Sequence, residues 1–165
     1  MRVREKMGVL GPAGTHSEAA ALYLIEWQRL DREIVCFGDI GECLHAVETG
    51  EVDSAFVPVE NSLEGAITVT MDALAHSDKL RVRREIIWPV HNYLMAQHAD
   101  VEIRSVYSHA QPIAQCRDFL RRHCPQAEII KTTSTARAAE LVAAAPLDAG
   151  AAAICTRHAG ELNGL

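Results

Sequence analysis

Short apolar runs and stretches of helical period alternate along most of the chain. Residues 6–10 (KMGVL) are apolar and stop on Gly11-Pro12, after which Ala19, Leu22, Tyr23 and Glu26 recur at spacings of three and four, so a strand, a tight loop and a helix starting near Thr15 are predicted. EIVCF (33–37) is the next strand, and DIGECLHAVETG (39–50) a helix with Asp39 to cap it and Gly50 to close it. DSAFVPV (53–59) predicts a third strand, ending on Glu60, Asn61 and Ser62. TVTMDALAHSD reads as a helix, and the β-branched and aromatic residues from Leu80 to Ala96 as extended chain. The alternation then returns, with strands at 104–108, 127–131 and 149–155 and helices at 111–123 and 135–145.

Strands alternating with helices of this length imply right-handed βαβ crossovers and parallel sheet. The change of pattern near 60–80 divides two such series, so the expectation is an α/β chain of two lobes, residues 1–75 and 76–165, hinged just beyond Glu60-Asn61-Ser62. At 165 residues the chain can bury one sizeable core or two small ones. With 48% hydrophobic and 23% charged residues the balance is that of a soluble globular protein.

Charge narrows the partners. A net charge of −6, from 22 acidic and 16 basic residues, argues against a nucleic-acid partner, which needs a broad positive face. A small anion would have to be held by local donors. The five cysteines form no C-x-x-C pair and the start has no charged-then-apolar leader pattern, which reads as a reduced, cytoplasmic protein. Pro89 and Pro146 interrupt the apolar stretches well short of the roughly 18 to 20 residues that span a bilayer, so no membrane role is expected.

In open parallel sheets ligands bind where strand carboxyl ends lead into helix amino ends. Three segments put small polar residues there: GPAGTHS (11–17), SHAQPIAQC (108–116) and TTST (132–135). They supply hydroxyl, amide and backbone donors with almost no formal charge, which suits a carboxylate or phosphate ligand. Gly11 and Gly14 fit neither G-x-G-x-x-G nor a Walker loop, and Cys43/His45 and His123/Cys124 have no second pair at ligand spacing, so no cofactor and no metal are expected. His109, at a strand end, is a ligand contact, a helix cap or a solvent-facing side chain. Glu60, directly after AFVPV, is expected near a buried edge that raises its pKa and makes it a proton donor, or in a structural hydrogen bond to a loop amide. The clusters Arg81/Arg83/Arg84 and Arg121/Arg122 read as solvated faces.

Five segments in order, GPAGTHSEAA, VPVENSLEGAI, SHAQPIAQC, TSTARAA and AAICTRHAGELNGL, resemble the prephenate dehydratase family from about Lys6 to Leu165. The resemblance implies a type II periplasmic-binding-protein-like fold, two α/β lobes around a cleft, and conversion of prephenate, or in some relatives arogenate, in phenylalanine biosynthesis. It implies Glu60, Asn61 and Gln115 as catalytic residues and Thr15, Ser62, Ser108, His109, Gln111, Ser134 and Thr135 as substrate contacts. It also points to a homodimer.

Two departures leave these donors in place: His16 stands where the family usually has an aromatic residue, and Ala110 where it has proline. A third is larger. The family continues into a Thr-Arg-Phe motif, whose threonine is regarded as the key catalytic residue, and often into a phenylalanine-sensing ACT domain. Here the one Thr-Arg pair is Thr156-Arg157, followed by His158 inside the preceding motif. The expectation is therefore part of a longer catalytic region, with an incomplete first lobe and little activity alone. The rival expectation is a non-catalytic module that binds a small anion or regulates.

Overall fold

Alternation in β1 (Glu5–Leu10) puts Met7 and Val9 on one face of a strand and Gly8 on the other. β1 pairs in parallel with β2 (Arg32–Phe37) and β3 (Ser54–Phe56), in the order β2-β1-β3. Helix α1 (His16–Gln28) covers the Met7/Val9 face, where Ala21 and Leu24 are buried and Ile25, Ile34, Phe56 and Ile86 pack around them. Helix α2 (Ile40–Thr49) lies against the other face, close enough that a Cβ on Gly8 would stand 2.9 Å from the Phe37 ring and 3.0 Å from Cys43 Sγ. Both helices open on the same device. Thr15 Oγ1 accepts from Glu18 N, Asp39 Oδ1 accepts from Glu42 N, and each glutamate accepts in return from the glycine N–H just before the cap. α2 closes on left-handed Gly50, as expected, whereas α1 closes on left-handed Arg29 (φ 52°).

The computed structural model describes residues 4–62 and 65–165. Two differences from the sequence expectations matter for function. The third strand stops at Phe56, because Pro58 has no N–H to continue a ladder. Glu60 and Asn61 instead form a two-residue strand, β4, antiparallel to β5 (Gly65–Ala66), followed by α3 (Thr68–His76). Buried Thr70 on α3 donates to Pro58 O at 2.8 Å and Ile67 N to Val59 O at 2.9 Å, which fixes the approach to β4. Secondly, the chain divides into two compact units at Pro89/Val90 rather than after residue 75. Residues 76–89 go with the first unit because Leu80 is buried, Ile86 joins the Met7/Val9 core and the Trp88 ring lies 5.4 Å from that of Tyr23.

The second unit holds β6 (Tyr93–Ala96), β7 (Ser105–Ser108), β8 (Glu128–Lys131) and β9 (Ala151–Cys155), in the order β6-β9-β7-β8. β7 is parallel to β8 and β9; β6 is antiparallel to β9, which the βαβ reading did not anticipate. β9 is buried along its whole length, and its alternate residues face different helices. Ala151, Ala153 and Cys155 meet Ala138, Ala139 and Val142 of α6 (Thr135–Ala143) and Ala159 of α7 (Arg157–Leu162), while Ile154 meets Val106 of β7 and Leu120 of α5 (Arg117–His123). The small alanines let α6 approach closely, and full burial of Val142 alone stabilises by about 1.5–3 kcal/mol. The single helix expected over 111–123 is broken at Cys116 into α4 (Ala110–Gln115) and α5.

Candidate functional site

The register aligns the carboxyl ends of the parallel strands in each unit. In the first, Leu10 is level with Phe37 and Val9 with Phe56, so the Gly11–Thr15 loop, the Gly38-Asp39 turn and the chain leading to β4 leave from one edge. That edge is acidic. Glu18 Oε2 accepts from Gly14 N at 2.6 Å, and Asp39 and Glu42 cap the neighbouring helix. The glycine loop expected to offer bare donors thus carries a carboxylate. Thr15 is also engaged, its hydroxyl donating to Leu10 O at 3.0 Å while accepting from Glu18 N. Asn61 is half-buried and Ser62 exposed. Glu60 is exposed on β4, which corrects the expectation of a buried edge.

The second unit's edge is different. Ser108 pairs with Lys131 and Tyr107 with Ala153, so the turns after β7, β8 and β9 come out together and lead into α4, α6 and α7. Neighbouring β7 and β9 send the chain to opposite faces of the sheet, α5 packing with Ile154 and α7 with Cys155, and a crevice forms at such a reversal. Hydroxyl and amide side chains gather there, with no carboxylate among Ser108, His109, Gln111, Gln115, Thr132, Ser134, Thr135 and Thr156.

Several of these hydroxyls already have partners. Ser108, fully buried, donates to Ile154 O at 2.6 Å. Ser134 Oγ caps α6 by accepting from Arg137 N, Thr156 Oγ1 caps α7 by accepting from Ala159 N, and Thr132 Oγ1 donates to Ser134 O. His109 occupies the N-cap of α4, is exposed and makes no side-chain cap bond. Thr135 is half-buried as the first residue of α6.

The amides stand apart. Gln111 and Gln115 lie one turn apart on α4 and so share a face. Gln111 Nε2 is buried without an acceptor among the described residues, and exposed Gln115 accepts at Oε1 from Asn92 Nδ2 at 2.9 Å. Asn92 was not among the expected residues. It immediately precedes β6, and because Tyr93 pairs with Cys155 in antiparallel sense, β6 begins at the edge where the parallel strands end. A search confined to the loops after strands passes over it.

The thiols are chemically quiet. Burial pushes Cys43 and Cys155 up to about 11, the latter despite a hydrogen bond from the Gly160 backbone that lowers it. Cys36 is raised by partial burial and by the Glu18 carboxylate. Among the described residues no group of three His, Cys, Asp or Glu side chains is arranged to hold a metal ion, and no helix is long and apolar enough to cross a membrane. A groove of about 240 Å³ between α2 and α3, floored by Leu44, Ala73 and Leu80 and rimmed by His45 and His76, contains none of the expected site residues.

The prephenate dehydratase family model matches residues 7–165. The chain is 39% identical over 145 residues to the prephenate dehydratase of Bacillus subtilis (strain 168), covering 86% of this chain and 50% of that protein. It is 34% identical over 157 residues to that of Lactococcus lactis subsp. lactis (strain IL1403), covering 95% and 54%. The crystal structure of Arthrobacter aurescens prephenate dehydratase in complex with L-Phe is similar at a TM-score of 0.79 and 33% identity, over 95% of this chain and 52% of that one. The chain thus spans about half the length of the curated relatives it matches. Its fold is of the α/β, type II periplasmic-binding-protein-like class expected from the sequence. From its sequence motifs, its topology and these matches together, the chain belongs to the prephenate dehydratase family.

Proposed function

We propose that this chain supplies substrate-binding residues of a prephenate dehydratase, which converts prephenate to phenylpyruvate, carbon dioxide and water. The bond from the ring to its carboxylate breaks, its electron pair enters the ring, and the hydroxyl leaves with a proton as water. Aromatisation drives the step, so the protein must orient a dicarboxylate, meet its charge and assist the departing hydroxyl. The observation that carries this reading is the carboxylate-free edge of the second unit, where amides, capped loops and helix amino ends gather beside β7, β8 and β9 in a protein of net charge −6.

Within that reading Gln115, Gln111, His109 and Thr135 contact substrate directly. Ser108, Ser134 and Thr15 act chiefly by holding their loops, since their hydroxyls bond to local backbone. Asn61 orients substrate, Ser62 donates to it, and Glu60 acts through Asn61 or as a proton relay open to solvent. Five free cysteines suit the cytoplasm. The outward face of α1, with Leu22, Tyr23 and Trp27 exposed, suits a homodimer, and sedimentation tests that. No nucleic acid is needed.

The test is prephenate added to these 165 residues, with binding followed by titration and phenylpyruvate by its absorbance. Millimolar or tighter binding, weakened at least fivefold by Asn61→Ala and by Gln115→Ala, is expected, with turnover slow because residues 1–165 contain no Thr-Arg-Phe. Unchanged binding in both variants would remove the site assignment. Binding by a longer form of the protein that never yields phenylpyruvate would favour a non-catalytic anion-binding module.

A further inference from the structure

Gln115 can meet a carboxylate only with its NH2 group facing outward, since its carbonyl oxygen would repel the anion. Oε1 must then point inward and find a donor. Asn92 provides one: its Nδ2 lies 2.9 Å from Gln115 Oε1. Asn92 reaches this place because antiparallel β6 starts at the edge where β7 and β9 end, with Tyr93 opposite Cys155. The polarity of the pair has a cost, since Asn92 Oδ1 is buried and meets no donor among the described residues. Reversing both amides would give Asn92 Oδ1 a proton from Gln115, but would turn the Gln115 oxygen toward the ligand.

We propose that Asn92 is a positioning residue for substrate binding, holding the Gln115 amide with its NH2 outward so that it donates to a substrate carboxylate. The inference rests on Gln115 being a substrate contact, and goes beyond that reading by fixing which end of the amide is presented and which residue fixes it. Asn92 acts through Gln115 and forms no part of the bond-breaking machinery.

The test is prephenate affinity, by titration of this chain, for Asn92→Ala, Asn92→Asp, Gln115→Ala and the double variant Asn92→Ala/Gln115→Ala. Loss of one oriented hydrogen bond weakens binding about fivefold to tenfold, so Asn92→Ala should fall in that range. Asn92→Asp should be weaker still, because an acceptor-only side chain draws the Gln115 NH2 inward and turns Oε1 toward the carboxylate. The double variant should bind no worse than Gln115→Ala alone, as coupled residues are not additive. A merely structural role does not predict the non-additivity.

Wild-type affinity in both Asn92 variants, additive losses, or Asn92→Asp binding as well as Asn92→Ala would each overturn the proposal while leaving Gln115 as a contact. Unchanged affinity in Gln115→Ala would overturn the underlying reading instead. Should the variants fail to fold, the unsubstituted chain decides: prephenate must shift the Gln115 side-chain NH2 resonances in a ¹⁵N-correlated spectrum, and their indifference to it would overturn the proposal.

Discussion

Ser108→Ala separates a hydroxyl that holds the sheet edge from one that touches substrate. Ser108 is 0% exposed at the end of β7, and its Oγ donates to Ile154 O at 2.6 Å on the neighbouring central strand. Alanine removes the donor and little volume, so no cavity worth counting forms. The net hydrogen bond is worth about 0.5–1.5 kcal/mol, and a buried carbonyl left with less than its full set of donors raises the total to about 1–3 kcal/mol. For a chain of 165 residues that lowers the melting temperature by about 2–12 °C. The assay pairs thermal and urea unfolding with prephenate titration at a temperature where wild type and variant are both folded. The structure predicts a clear loss of stability and less than a twofold change in affinity. Unaltered unfolding with a tenfold loss of affinity would refute the reasoning, because it would mean the hydroxyl faces the ligand.

Other substitutions probe the same physics. Gly150→Ala should destabilise by about 2–4 kcal/mol in urea titrations, since Gly150 has φ 67° and its Cβ would stand 2.5 Å from Glu102 O, a backbone atom that cannot swing aside. Arg29→Gly should be stabilising by about 0.5–1 kcal/mol, because relief of a left-handed C-cap (φ 52°) exceeds the added chain entropy of glycine; a loss of stability would contradict it. Cys43 and Cys155, held at about 11, stay protonated in the folded chain when unfolded thiols near 9 have begun to ionise. Their contribution to stability is therefore full below pH 9 and lost as pH rises through about 11, so the urea midpoint should fall across that window and Cys36 should be alkylated well before either at pH 8.

Much of the fold was legible because its signals are local. Asp39 and Gly50 bracket α2 as their chemistry requires, Thr15 caps α1, and the apolar run at 151–155 becomes the buried central strand. What escaped depends on partners distant in sequence. The direction of β6 is set by pairing with β9, roughly sixty residues later, and nothing in Tyr93–Ala96 encodes it. The short apolar run before Glu60 looks like a buried strand until Pro58 ends the ladder and Thr70 takes its carbonyl. Sequence shows which side chains can donate but not which have already done so. The bonds that Ser108, Ser134 and Thr15 make to local backbone, and the one from Asn92 to Gln115, depend on partners that only the folded chain brings together.

The most direct test of the account is a ¹⁵N-correlated spectrum of the chain titrated with prephenate. The account predicts saturable shifts at Asn61 and Ser62 and, most densely, at Asn92, at 108–115, at 132–135 and around Thr156, the turns that share one edge of the β6-β9-β7-β8 sheet. Shifts confined to the groove between α2 and α3, around His45 and His76, or no saturation at any concentration, would contradict it.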